Sequence, residues 1–327
     1  MNLQVKYMGL TLENPIIISS SSLTASVEKI KKLADNGAGG IVLKSLFEEQ
    51  IITSPEKLYK QEEMYFWYKD AIDQVNSLAK EEGVENYLKL IKEAKESVPV
   101  PIIASINCIT PNEWPSFAAK IEEAGADGIE LNIFIPPTNP LASTESIEKT
   151  YFDIINEVSN KTSLPIGIKI SPFFTSLSKT IIDLSGTNVK GIVLFNRYYT
   201  PDIDIENLSV ISNNVLSSPM EYSSSLRWIS LLNNQVKCDL AASTGIHDSP
   251  AIIKQILAGA SAVEIASVLY SKGIDYLVTL LKDLQTWMKK HNYQEIADFK
   301  GKVSQLEENQ SAFERVQFMR KTAGKYV

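Results

Sequence analysis

Four polar side chains stand at or near the ends of apolar runs: Lys44, Asn132, Lys169 and Asn196. Successive residues of a strand face opposite sides. Lys44 therefore shares a face with Val42, Lys169 with Gly167 and Ser171, and Asn132 with Glu130 and Phe134. A lysine on the inner face of a closed sheet is costly unless an anion or a ligand meets it. Two such lysines predict a buried site for an anionic group, and Glu130 on the same inner parity is a candidate partner for either. The competing reading is a pair of rim lysines whose ammonium groups reach solvent.

The elements that would position these residues follow from the pattern of apolar runs. Eight runs cover 15–20, 40–45, 101–107, 128–134, 165–171, 191–196, 238–244 and 262–269, each followed by a stretch with helical spacing. Eight strand-then-helix units predict an α/β fold of the (β/α)₈ barrel type, whose active sites lie at the C-terminal ends of the strands. Residues 1–12 alternate apolar and polar and read as a hairpin closing the barrel bottom. Long loops are expected over the mouth. Residues 48–78 carry Tyr59, Tyr65, Phe66, Trp67 and Tyr68 and read as a lid, a binding loop or an oligomer contact; 197–219 is a second long loop. Asp248-Ser249-Pro250 places an N-cap and an N1 proline at the start of the seventh helix. The last helix is expected over 273–291.

In such a barrel, phosphate groups are held after strands seven and eight by backbone N–H groups and a helix N-terminus. Here those positions carry Ser243-Thr244-Gly245-Ile246 and Ala266-Ser267. Gly245 permits close backbone approach, and Thr244 and Ser267 add hydroxyls. An ordinary helix cap is the alternative. His247 reads as a loop or phosphate residue, or as a surface one.

Composition narrows the function classes. The chain has 327 residues, 44% apolar content and a net charge of −7. With no Lys/Arg block, nucleic acid is not the expected partner. No run has the length of a signal-peptide core or a membrane span, so a cytoplasmic location without membrane contact is expected. Two cysteines (Cys108, Cys238) and two histidines (His247, His291) do not supply a thiolate–imidazole zinc site or a nucleophile–histidine arrangement. The cysteines read as small core residues, and His291 as a surface residue near a helix C-terminus.

Over nearly its whole length the chain resembles the dihydroorotate dehydrogenase family, which are FMN-dependent barrels. The stretches that carry the likeness are Asn14-Pro15 with Ser19-Ser20, Lys44-Ser45, Asn76-Ser77, Glu130-Leu131-Asn132, Gly167-Ile168-Lys169, Phe195-Asn196, Thr244-Gly245-Ile246 and Gly259-Ala260, with the tail Tyr293-Gln294-Glu295-Ile296-Ala297-Asp298-Phe299-Lys300-Gly301-Lys302. The resemblance implies one FMN-binding barrel domain over 1–327. It implies flavin contacts from Ser19, Ser20, Lys44, Ser45, Asn132, Lys169, Asn196, Thr244, Gly245, Ala266 and Ser267. An orotate-like substrate would meet Lys44, Asn76, Asn132 and Asn196, with Lys44 and Asn132 in the catalytic set. Lys169 would lie near the pyrimidine end of the flavin ring, where a cation stabilises the reduced form. The implied activity is hydride transfer from dihydroorotate, or a related dihydropyrimidine, to flavin in pyrimidine biosynthesis, with a homodimer as the assembly. Neither an iron–sulfur cysteine set nor an N-terminal apolar helix for quinone access is present, so an electron-transfer cluster would belong to another chain.

The chain departs from the family pattern in the loop after strand four. The position of the cysteine or serine base holds Ile135, which cannot accept a proton; Thr138, Ser143 or Thr144 could substitute. Pro219-Met220-Glu221-Tyr222 replaces a glycine pair before helix six. Two further readings follow: a flavin- or phosphate-binding barrel impaired in turnover, and a barrel lyase using Lys169 as a Schiff base.

Overall fold

The computed structural model describes residues 1–51, 80–112, 114–135, 140–198, 201–211 and 215–304. Its strands are short runs rich in Ile, Val, Leu and Ala. Strands of a parallel barrel are covered on both faces, so they read as nearly continuous apolar segments. In chain order they are β1 (Val5–Tyr7), β2 (Leu10–Leu12), β3 (Ile16–Ile18), β4 (Gly40–Val42), β5 (Leu46–Phe47), β6 (Ile102–Cys108), β7 (Gly128–Ile133), β8 (Ile166–Ile170), β9 (Gly191–Leu194), β10 (Asp202–Asp204), β11 (Ser209–Ile211), β12 (Asp239–Ser243) and β13 (Ala262–Ile265). Strands β3, β4, β6, β7, β8, β9, β12 and β13 pair in that order, all parallel, and β13 pairs back to β3. The result is a closed (β/α)₈ barrel with helices between the strands. All eight strand segments expected from the sequence are present, shorter by one to several residues in most cases.

Several elements differ from the sequence reading. Of the eighth apolar run, 262–269, the strand takes Ala262–Ile265, as expected, and Ser267 opens a short helix, Ser267–Lys272. Gly273, at φ +89°, ends that helix, so the long final helix begins only at Tyr276 and runs to Lys290. The loop from 197 contains the β10–β11 hairpin. Of the stretch expected to be irregular from 48, Glu48–Ile51 is helical, and the helix expected over 85–97 begins at Lys80. The five aromatic residues of that stretch lie outside the described residues, as does Asn76.

The barrel interior has two layers. The lower one is apolar: Tyr7, Met8, Leu12, Ile17, Val42, Ile103, Val193, Ala241 and Ala262 form one buried cluster. The β1–β2 hairpin plugs the bottom. Its Met8 fills the space above two strand-start glycines: a Cβ on Gly167 would stand 2.7 Å from the Met8 sulfur, and one on Gly191 would stand 2.7 Å from Met8 Cγ. The Met8 backbone N–H donates to Asp239 at 3.0 Å, which pins the plug to β12. The second layer, one alternation higher on the same strands, is polar.

Candidate functional site

The polar layer begins with Lys169. On β8 it follows Gly167 by two residues, and the alternation that points Gly167 at the hairpin points Lys169 inward one level up. Its ammonium is buried (6% exposed) and donates to Oε2 of Glu264 at 2.6 Å and to Oγ of Ser19 at 2.8 Å. Ser19 donates in turn to the same carboxylate oxygen at 3.0 Å. Glu264, on β13, and Glu130, on β7, are both buried. The sequence reading missed Glu264. The signal was available, since it is a single acid inside the apolar run Ala262-Val263-Glu264-Ile265. Lys169 pairs with Glu264, so the direct ion pair is not the one suggested with Glu130.

Charge in this layer is strongly conditioned by burial. For Lys169, burial alone would lower the proton affinity, but Glu264 and Glu130 outweigh it and hold the ammonium above its ordinary value. Burial, reinforced by the neighbouring Glu264, pushes Glu130 well above the usual carboxyl range. For Glu264, burial acts upward too, but Lys169 and the hydrogen bonds from Glu130, Lys169 and Ser19 leave it below its ordinary value.

Lys44 is a correction. It was expected inside the barrel, and it is exposed. Strand β4 ends at Val42, and Leu43 is the last buried residue of the run, so strand alternation no longer governs Lys44. Its backbone still belongs to the mouth. The next residue, Ser45, donates its N–H to Ser20 Oγ at 2.8 Å, and its hydroxyl contacts Ser20 at 3.0 Å and Ser105 at 2.8 Å.

Above the polar layer a cavity of about 490 Å³ opens at the C-terminal ends of the strands. Lys169 and Glu264 form part of its floor. Ser19, Ser20, Ser21 and Ser22 form one wall, and Ser243, Thr244, Gly245, Ala266 and Ser267 another. Asn196 also lines it and donates to Asn132 Oδ1 at 2.7 Å. Thr244 and Gly245 turn with positive φ (+73° and +76°), and a Cβ on Gly245 would stand 2.1 Å from the Tyr222 backbone nitrogen. Only glycine fits there. Ser217, which the sequence reading did not single out, ties this wall together. Its N–H donates to Ser267 Oγ at 3.0 Å, its hydroxyl accepts from the Gly245 N–H at 3.3 Å, and it contacts His247 Nε2 at 3.0 Å. His247 is thus a half-buried loop residue, and burial holds its imidazole below the ordinary pKa.

An aromatic cluster at the strand ends stands apart from the residues that line this cavity. Phe134, Phe173 and Tyr198 follow β7, β8 and β9, with ring centroids 4.2 Å apart for Phe134–Tyr198 and 5.1 Å for Phe173–Tyr198. Ile135 packs its side chain against the core. Of the candidate substitutes for a base, Ser143 caps the helix Thr144–Ser159 by accepting from the Ser146 N–H, Thr144 is the first residue of that helix, and Thr138 lies outside the described residues. Cys108 is buried and Cys238 half-buried, and burial raises both thiols, Cys238 to about 12. Among the described residues, no helix is long and apolar enough to cross a membrane.

Comparison with known proteins agrees with this architecture. The family model described as dihydroorotate dehydrogenase matches residues 2–288. The catalytic subunit of dihydroorotate dehydrogenase B (NAD(+)) from Thermoplasma volcanium is 27% identical over 297 residues, covering 90% of this chain and 95% of the relative. Its counterpart from Pyrococcus furiosus is 25% identical, covering 92% and 98%. The dihydroorotate dehydrogenase (fumarate) of Lachancea kluyveri is 23% identical, covering 93% and 99%.

Proposed function

The chain belongs to the dihydroorotate dehydrogenase family, a family of oxidoreductases, and from that premise we propose that it binds FMN and oxidises dihydroorotate or a related dihydropyrimidine. The observation that carries this reading is the cavity at the barrel mouth, with a buried ammonium in its floor and a wall of hydroxyls and backbone N–H groups at the ends of β12 and β13. Its volume of about 490 Å³ lies in the range of small-molecule sites.

The residues present fit the cofactor. Thr244, Gly245, Ala266 and Ser267 suit a phosphate, with Gly245 leaving the backbone open where a side chain would not fit. The amides of Asn132 and Asn196 suit a planar ring with N–H and C=O groups at its edge, as do the hydroxyls of Ser20 and Ser45. When bound, FMN supplies a two-electron acceptor for the hydride leaving the substrate. Lys44, exposed beside Ser45 and Ser20, is placed to meet an anionic substrate group arriving from solvent.

Ile135 favours a second reading, a flavin-binding barrel impaired in turnover, because it puts a core-packed aliphatic side chain where the family resemblance calls for a proton acceptor. The Schiff-base reading is disfavoured. A nucleophilic lysine must shed its proton, and Lys169 is held as an ammonium by Glu264 at 2.6 Å.

The test has two readouts. Mass spectrometry of cofactor released from protein purified without added ligand is expected to return FMN. Anaerobic dihydroorotate is then expected to bleach the flavin absorbance. FMN without bleaching by any dihydropyrimidine selects the impaired barrel, and absence of FMN overturns both flavin readings. The names of the relatives include the words catalytic subunit. We accordingly read a second protein as its electron-transfer partner, and we propose separately that the chain is cytoplasmic and homodimeric.

A further inference from the structure

The barrel interior brings two carboxyls and one ammonium together in a water-poor layer. Glu130, Glu264 and Lys169 are all at least nine-tenths buried. The ammonium is committed to Glu264 and Ser19. Ionised carboxylates are acceptors only. With both ionised, Oε1 of Glu130 and Oε1 of Glu264 would each lack a donor among the described residues. Each carboxyl acts on the other, Glu264 favouring the proton on Glu130 and Glu130 disfavouring it on Glu264. A hydrogen bond between them requires a proton on one.

Among the described residues, Lys169 is the cation that acts on the pair. Tyr7 faces the pair from the hairpin with its hydroxyl unpartnered among the described residues, and it feels Asp239 and Cys238 on the β12 side. Asp239 is engaged with the Met8 N–H and the Ser261 hydroxyl. The Tyr87 hydroxyl bonds the Ser105 backbone, and Ser105 Oγ contacts Ser45. Two carboxylates against one ammonium would leave a net charge in an apolar shell, which costs more than taking up a proton.

We propose that Glu130 and Glu264 hold one proton between them at neutral pH, donated by Glu130 to Glu264, so that the cluster with Lys169 is electrically neutral beneath the cavity. The orphaned oxygens then have partners. Lys169 is compensated before any ligand arrives, and it does not act as a free positive charge toward an anionic ring above it. Glu130 and Glu264 are positioning residues for that charge. The consequence for a bound flavin rests on the FMN reading above; the shared proton does not.

Infrared difference spectroscopy of wild type against Glu130→Gln, on protein as purified at neutral pH, tests the proton directly. The expected result is a protonated-carboxyl C=O band in wild type that shifts down in D₂O and is missing from the variant. Absence of such a band in wild type overturns the proposal, and the H₂O-against-D₂O difference of wild type alone reads it if the variant does not fold. The charge is read by the relative affinity for reduced and oxidised FMN. Glu130→Gln should match wild type, since Glu264 still compensates Lys169. The double variant Glu130→Gln/Glu264→Gln should favour reduced FMN about tenfold more, about 30 mV in a two-electron potential. Equal preference in the single and double variants overturns the compensation. A chain that shows the band but takes up no FMN upholds the shared proton and removes the cofactor reading instead.

Discussion

The two layers inside the barrel are carried by the same strands, two residues apart, and are built on opposite principles. The lower layer packs Tyr7, Met8, Leu12, Ile17 and Ile103 with no charge. Its cohesion comes from removing apolar surface from water and from close packing. The upper layer replaces Ala262 by Glu264, Gly128 by Glu130 and Gly167 by Lys169 along the same inner faces. Charges there pay a desolvation cost that their pairing only roughly offsets. The apolar layer holds the barrel closed, and the polar layer supplies the floor of the cavity above it. Packing governs one layer and electrostatics the other.

The sharpest way to break this contrast is to remove the ammonium. Lys169→Met should cost about 3–5 kcal/mol in urea unfolding, because it strands buried carboxyls. Adding Glu264→Gln to that variant should recover more than half of the loss. If Lys169→Met unfolds like wild type, the upper layer is not an electrostatic unit. In the lower layer, Ile17→Ala should cost about 3 kcal/mol through lost burial and the cavity it leaves, and the loss should be the same at acid and neutral pH.

The layers should also differ in their response to pH. Below the ordinary glutamate value, both the folded and the unfolded chain hold the Glu130 proton. Above it the unfolded chain releases the proton while the folded chain keeps it, because burial and Glu264 raise the folded value. Stability from this group is therefore complete in acid and declines as pH rises, by about 1.4 kcal/mol per pH unit per proton. The difference in unfolding free energy between wild type and Glu130→Gln should show that slope from about the ordinary glutamate value upward. A flat difference would mean that Glu130 titrates normally. The smallest effect is expected for Ser19→Ala, which removes a hydroxyl bonded to both Lys169 and Glu264. It should cost about 1 kcal/mol, with a larger proportional loss of FMN affinity than Ile17→Ala shows.

Much of this was legible in the residues. The eight strands announced themselves because parallel strands covered on both sides need continuous apolar runs, and Gly or Pro marks many of their starts. Asp248 could be read as a cap because Asp followed two residues later by Pro has a local physical meaning, and its side chain does accept the Ala251 N–H at 2.8 Å. Lys169 was legible from parity. The same rule failed at Lys44, since parity holds only while the ladder continues and β4 ends two residues earlier. The β10–β11 hairpin was missed because its exposed Ile203 and Val210 sit among turn-forming polar residues. Ser217 gave no signal at all, as a serine in a loop acquires meaning only from what lies across from it.

The sequence by itself determined the barrel and the hairpin plug, because periodicity and turn chemistry act between near neighbours in the chain. Only the tertiary structure decided that Lys169 meets Glu264 from 95 residues away and Ser19 from 150. A charge pair is fixed by the closure of the barrel, which brings β8, β13 and the end of β3 to one level. No local rule contains the number of residues between them.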